Sequence, residues 1–267
     1  MRSEQDNLVK TQPAIKRYLN AIRSALKPKR RGIVEVFPSE KDAIVLLRSS
    51  GLLSEGKPLR LHLGCGEGHF DGYINIDYPP SDHTVQRKSG ADIFADIMML
   101  QFPEQVVDEI RLHHVFEHFN RARALALCIK WHEWLKVGGI LHIETPDLMG
   151  STRQLCSDLP YKTKQAIVRH LFGSHEAHWA YHYDGWYAEK FQLVLSQFGF
   201  SVECRSWQWE QEPYLSNVDA VATKKVHCSR QQLLHAADSI LLDSTVADSR
   251  IERRLHEVWC QEMRQFI

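Results

Sequence analysis

The rhythm of apolar and polar positions changes at Pro58. Before it, Leu8, Ile15, Tyr18, Leu19, Ile22 and Leu26 recur at helical spacing and predict a helix over 1–27 that Pro28 ends. Residues 40–52 read as a second, shorter helix that stops near Gly51. After Pro58 the period shortens. Residues 59–63 alternate as a strand and run straight into a glycine-rich loop, and 73–77 form a second strand closed by Pro79 and Pro80. A short third strand is expected at 93–95 and a fourth at 106–112. A strong helix over 119–136 is stopped by Gly138 and Gly139, and a fifth strand at 140–144 ends before Pro146.

Further on, 151–172 has the mixed polarity of a helical cap. A loop rich in histidine and aromatic residues follows at 173–187, and then a helix at 188–198. Strands at 200–209 and 218–223 follow each other with no helix between them. Residues 229–267 return to helical spacing in two stripes, Leu233, Leu234, Ala237, Ile240 and Leu241, then Ile251, Leu255, Val258, Trp259 and Met263. Strands alternating with helices predict a mainly parallel α/β sheet, and the two late strands predict an antiparallel hairpin at its edge. The chain thus divides into an N-terminal helical arm (1–57), a core (58–224, with the cap and His-rich loop at 151–187) and a C-terminal helical extension (225–267). That extension reads either as helices packed on the core or as a surface for a homodimer or partner.

Composition narrows the function classes. Lys plus Arg and Asp plus Glu are equal at 33 each, so the chain carries no overall basic footprint and nucleic acid is not an expected partner. The run 27–31 (KPKRR) is locally basic. It reads as a solvated linker, or as a contact for a phosphate, an anionic lipid or an acidic carrier. The six cysteines are scattered without a CxxC pair, which points to reduced thiols in a cytoplasmic protein rather than a disulfide framework or a cysteine-zinc site. No run of about 18 apolar residues occurs, so no transmembrane segment is expected.

The loop GCGEG at 64–68 carries the first chemistry. Glycines after a strand permit a tight turn and let backbone approach a ligand, and in open α/β sheets ligands sit at the carboxyl ends of strands. Such a loop also serves dinucleotide enzymes. However, the third dinucleotide glycine falls at His69, no long helix follows to aim its dipole at a pyrophosphate, and Asp77 arrives sooner than the roughly 20-residue spacing of that fingerprint. These departures favour S-adenosyl-L-methionine. Asp77 has lone pairs for both ribose hydroxyls, Asp96 for the adenine amino group, and the Ile97 backbone N–H suits a ring nitrogen.

The runs LHLGCGEG (61–68), GYINID (72–77), ADI (95–97) and DEIRLHHVFEHF (108–119), continued by LKVGGILHIETPD (135–147), HYDGW (182–186) and FGF (198–200), resemble class I S-adenosylmethionine-dependent methyltransferases. Within that class they resemble methyltransferases of bacterial surface-glycan and secondary-metabolite pathways. The resemblance spans about 58–224. It implies a Rossmann-like seven-stranded, mainly parallel sheet with the last strand antiparallel. It implies a cofactor site of Gly64, Cys65, Gly66, Gly68, Asp77, Asp96 and Ile97, with the His113 carbonyl on the methionine amino group. The implied activity is methyl transfer, the acceptor being an oxygen of a glycan or glycan-like small molecule. A natural-product O- or N-methyltransferase and a non-catalytic S-adenosylmethionine-binding protein remain the alternatives.

An acceptor hydroxyl must lose a proton, which histidine can take near neutrality. His114, His178 and His182 are the candidate bases. Each is equally readable as a hydrogen-bonded residue shaping the pocket. His114, Glu117 and His118 also match the HxxEH pattern of inverted zinc peptidases, but that pattern needs both histidines on one helix. Here they follow a strand, and the histidines at 170–182 read as an ordinary polar loop with metal binding as the lesser alternative, so no metal is expected.

Overall fold

A computed structural model of the chain describes residues 40–86 and 88–267. The helix expected over 1–27 and the basic run at 27–31 lie outside the described residues. The strands are β1 (Arg60–Leu63), β2 (Ile74–Asp77), β3 (Ile93–Phe94), β4 (Val107–His113), β5 (Leu135–Pro146), β6 (Phe200–Gln208) and β7 (Ser216–Lys224). The helices are α1 (Glu40–Ser49), α2 (Arg121–Trp134), α3 (Leu148–Leu155), α4 (Tyr161–Phe172), α5 (Ala188–Gln197), α6 (Arg230–Leu242) and α7 (Arg250–Arg264).

The strands form one sheet in the order β3-β2-β1-β4-β5-β7-β6. β1 pairs in parallel with β2 on one side, Leu61 opposite Ile74, and with β4 on the other, Leu61 opposite Ile110. β7 runs antiparallel to both β5 and β6. This is the mainly parallel seven-stranded sheet with an antiparallel last strand that the resemblance implied. The order reverses between β1 and β4, so a crevice opens at their carboxyl ends. The chain leaves β1 at Gly64 and β4 at His113 on either side of it.

α2 begins where the Asn120 side chain accepts from the Arg123 N–H. The helix is buried on nearly all sides because the sheet lies under it while α6 and α7 pack over it. It ends at Trp134, two residues earlier than expected, because Leu135 already pairs with Val107 of β4. β5 therefore takes in Gly138 and Gly139, read from the sequence as a helix stop, and the ladder shifts register between Val107 and Glu109. A dry pairing partner outweighs helix propensity over those residues.

The cap at 151–172 is two helices, α3 and α4, separated around Pro160, which precedes the first residue of α4. In the C-terminal extension, Leu233, Ala237 and Leu241 of α6 are buried as their stripe predicts. The α7 stripe is only half used. Met263 and Cys260 are buried and Trp259 packs against the core, but Ile251 is 69% exposed, and Leu255 and Val258 are also exposed. α7 is tied to α2 by Glu262, whose carboxylate accepts from Asn120 and Arg123, and by Arg121 stacked over Trp259.

Candidate active site

The glycine loop closes tightly on the end of β2. The N–H groups of Gly64 and Cys65 both donate to the Ile76 carbonyl, and Gly68 N–H donates to Cys65 O. Gly64 and Gly66 sit at φ +69° and +59°, where a side chain is strained. A Cβ on Gly64 would collide with Val115, whereas one on Gly66 would meet nothing within 4 Å. The backbone at Gly66 thus borders open space. Burial pushes the Cys65 thiol up to about 12, so it is inert packing rather than a nucleophile.

No helix joins β1 to β2, and a polar hub takes its place. Asn75, fully buried in β2, accepts from the Phe70 N–H and meets His62 Nδ1 through its carbonyl oxygen. Its amide group donates to Phe70 O, Tyr73 O and the Asp92 carboxylate. His62 stacks on Phe70 with ring centroids 4.3 Å apart.

Asp77 is buried at the end of β2, and its two oxygens accept from the backbone N–H groups of Gly66 and Tyr78. His83 Nε2 stands 3.4 Å from Asp77 Oδ1, and Trp179 packs edge-on against His83 while donating to the Asp82 carbonyl. The His-rich segment therefore reaches, through His83, the neighbourhood of Asp77, a contact that no local spacing announces. Asp96 caps the short turn that follows β3 by accepting from the Met98 N–H. It also hydrogen-bonds Tyr78; burial first and Asp96 second push the Tyr78 hydroxyl up to about 12. Ile97, next in line, is buried.

Beyond β4 the chain makes a strained step. His114 adopts φ +53°, unusual for a residue with a side chain. The twist holds its ring between two carboxylates, Nδ1 3.4 Å from Glu117 Oε1 and Nε2 3.2 Å from Glu144 Oε1. Burial favours neutral His114, but the two acids outweigh it and raise its pKa to about 9. Glu144 also faces His113 Nδ1 at 3.4 Å. Burial opposes its ionisation, but both histidines hold its pKa down at about 2. Glu117 is held low against its own burial by His114 in the first place. His114 further contacts the rings of His170 on α4 and Trp209 just past β6, neither of which the sequence singled out.

The 173–187 segment is pinned at several points. Gly173 bridges Tyr181, the Tyr183 N–H donates to the Glu117 carbonyl, and Trp186 is buried against Phe116 and Phe191. His182 reaches the Glu117 carboxylate at 3.9 Å, and burial lowers its pKa to about 4. His178 is exposed. His118 lies in a single 3-10 turn, Phe116–His118, so the peptidase arrangement of two histidines on one helix is absent here. Two of the three candidate bases, His114 and His182, thus converge on Glu117.

No family model matches the chain, and no curated protein matches it. Solved structures with a similar fold include a protein from Bordetella parapertussis named a possible exported protein (16% identical, covering 64% of this chain and 63% of that one, TM-score 0.42). This chain therefore spans less than two thirds of the Bordetella protein. Others are the 1,6-didemethyltoxoflavin-N1-methyltransferase of Burkholderia thailandensis (13% identical, 85% and 92% covered, TM-score 0.43) and a SAM-dependent methyltransferase from Archaeoglobus fulgidus (14% identical, 70% and 95% covered, TM-score 0.39). The strand order β3-β2-β1-β4-β5-β7-β6 makes the fold a Rossmann-like, mainly parallel α/β sheet. Among the described residues no helix is long and apolar enough to cross a membrane, and all six cysteines are free.

Proposed function

We propose that the chain is an S-adenosyl-L-methionine-dependent methyltransferase, with residues 58–224 as its catalytic core and 151–187 as the acceptor-facing cap. The observation that carries this reading is the pairing of elements across the switch point. The loop at 64–68, held by Asp77, stands on the β1 side, and the histidine–carboxylate cluster after β4 stands on the other. The residues fit the cofactor, since the backbone beside Gly66 is open and the Asp77 carboxylate lies buried directly under it. Gly64, Cys65, Gly66 and Gly68 would hold the methionine and ribose side, with the His113 carbonyl on the amino group. Asp77 would take the ribose hydroxyls, and Asp96 and Ile97 would take the adenine.

When bound, the cofactor supplies a methyl group on a sulfonium, and its sulfur keeps the electron pair of the broken S–CH₃ bond as the acceptor atom bonds the methyl carbon. The protein's part is to position the acceptor and receive its proton. A cavity of about 240 Å³ lies against Glu117, His182, Phe172, Tyr183 and Pro146. His182 lines it, His114 is engaged by two carboxylates, and His178 is exposed, so His182 is the imidazole placed to receive a proton from an acceptor there. Aromatic walls beside buried polar groups support a ring-bearing hydroxylic acceptor, a glycan or glycan-like small molecule. Calorimetry with S-adenosylmethionine and S-adenosylhomocysteine, followed by a labelled-methyl screen of hydroxylic acceptors, tests the reading. Absence of cofactor binding would overturn it. Binding without transfer would favour a sensor.

A further inference from the structure

The geometry points to a divalent transition-metal site formed by Glu117, His118 and His182. One donor atom from each of the three lies within 4.8 Å of the others. Glu117 is only 2% exposed, and neither of its oxygens has a hydrogen-bond partner. Burying a carboxylate in that state is costly unless a cation compensates it. His114 stands 3.4 Å from Glu117 but is shared with Glu144 at 3.2 Å, so it offsets at most one of the two carboxylates, and His182 lies further off at 3.9 Å.

His118 is held as a ligand usually is. His118 Nδ1 lies 3.2 Å from the Tyr181 carbonyl, a contact that places its proton on Nδ1 and leaves the Nε2 lone pair free. His118 and His182 stand edge to face with ring centroids 4.6 Å apart. The Tyr183 N–H anchors the Glu117 backbone, so the segment carrying His182 is fixed to the turn carrying the other two donors. One carboxylate and two imidazoles suit Zn²⁺, Mn²⁺, Fe²⁺ or Co²⁺ better than Ca²⁺, which takes oxygen ligands throughout.

Glu117 and His182 also line the cavity of about 240 Å³. An ion there takes an acceptor oxygen as a further ligand and acidifies its hydroxyl. His182 then serves as a ligand rather than as the base, the acidified hydroxyl gives its proton to water in the cavity, and acceptors offering a hydroxyl beside a second oxygen are the class selected. That use of the ion rests on the methyl-transfer reading, whereas its binding does not.

The experiment is a Co²⁺ and Zn²⁺ titration of chelator-stripped full-length protein. A Cys260→Ser background removes the second three-donor cluster, Asp238, His256 and Cys260. The expected result is one equivalent of Co²⁺ with visible absorption bands of a nitrogen–oxygen site, and a rise in melting temperature with Zn²⁺. Glu117→Gln and, independently, His182→Ala and His118→Ala should weaken binding at least tenfold and abolish the Zn²⁺-dependent rise, while circular dichroism and the metal-free melting temperature report that each variant is folded. No binding, or binding unchanged in the three variants, would overturn the site. Because these readouts need neither cofactor nor acceptor, they stand whether or not the methyl-transfer reading does.

Discussion

Gly90 lies flat against Gly68: a Cβ added to Gly90 would come within 2.0 Å of the Gly68 carbonyl oxygen, and its N–H donates to Gly66 O. The glycine loop is thus clamped from outside by a residue 22 positions further along. Gly90→Ala must push the loop away from its position. The expected outcome is a loss of S-adenosylhomocysteine affinity of at least tenfold, about 1.4 kcal/mol, read by calorimetry. Unchanged affinity would show that the clamp does not shape the cofactor site.

Asn75 replaces a crossover helix with side-chain hydrogen bonds. Asn75→Leu keeps the branched shape but leaves the Phe70 N–H, His62 and Asp92 without their partner. A loss of roughly 2–4 kcal/mol in denaturant unfolding is expected. A change below about 0.5 kcal/mol would mean that water replaces the amide without cost.

Two buried histidines set the acid limit of stability. Burial lowers His62 to about 4 against its hydrogen bond to Asn75, and burial with Lys224 nearby lowers His132 to about 3. Both fall below the unfolded value of about 6.5, so the folded state binds fewer protons. Their stabilisation is complete above pH about 6.5 and is lost as pH falls toward 4 and then 3. Urea midpoints should fall steadily from pH 7 to pH 4, and less steeply in His132→Gln, whose side-chain oxygen can still accept from the Cys228 N–H. A midpoint flat across this range would contradict the assignment.

Along α7, the two halves of one apolar stripe should behave oppositely. Met263→Ala opens a cavity beneath the helix and is expected to cost about 2–4 kcal/mol. Ile251→Ser lies on the exposed half and is expected to change stability by less than about 0.5 kcal/mol. Chemical denaturation of both variants distinguishes the halves.

Much of the sheet was legible because its strands are short, apolar and punctuated by glycine and proline. Leu59, Leu61 and Leu63 announce β1 as clearly as Gly64 announces its end. The start of β5 was not legible: residues 135 and 136 continue a helical pattern, Gly138 and Gly139 read as its stop, and only the pairing of Leu135 with Val107 decides otherwise. The same limit applies at the site. The glycine loop and Asp77 stand out because their signals are local to strand ends. Glu117 stood in the sequence as part of a peptidase-like pattern, and its real neighbours depend on the left-handed turn at His114 and on His182, 65 positions away. Gly90, His83 and Asn75 carried no local signal, since each acts through a partner brought up by the fold.

The segment at 173–187 touches both sides of the crevice. Trp179 rests on His83 beside Asp77, and His182 and Tyr183 wall the cavity at Glu117. With Gly173 bridged to Tyr181 and Trp186 locked in the core, these side chains share one short stretch of backbone. Under the methyl-transfer reading proposed above, a displacement that admits the nucleoside beside Asp77 would be felt at the wall beside Glu117. Loading and release therefore become successive events along one ribbon, and steady-state kinetics should follow an ordered rather than a random sequence.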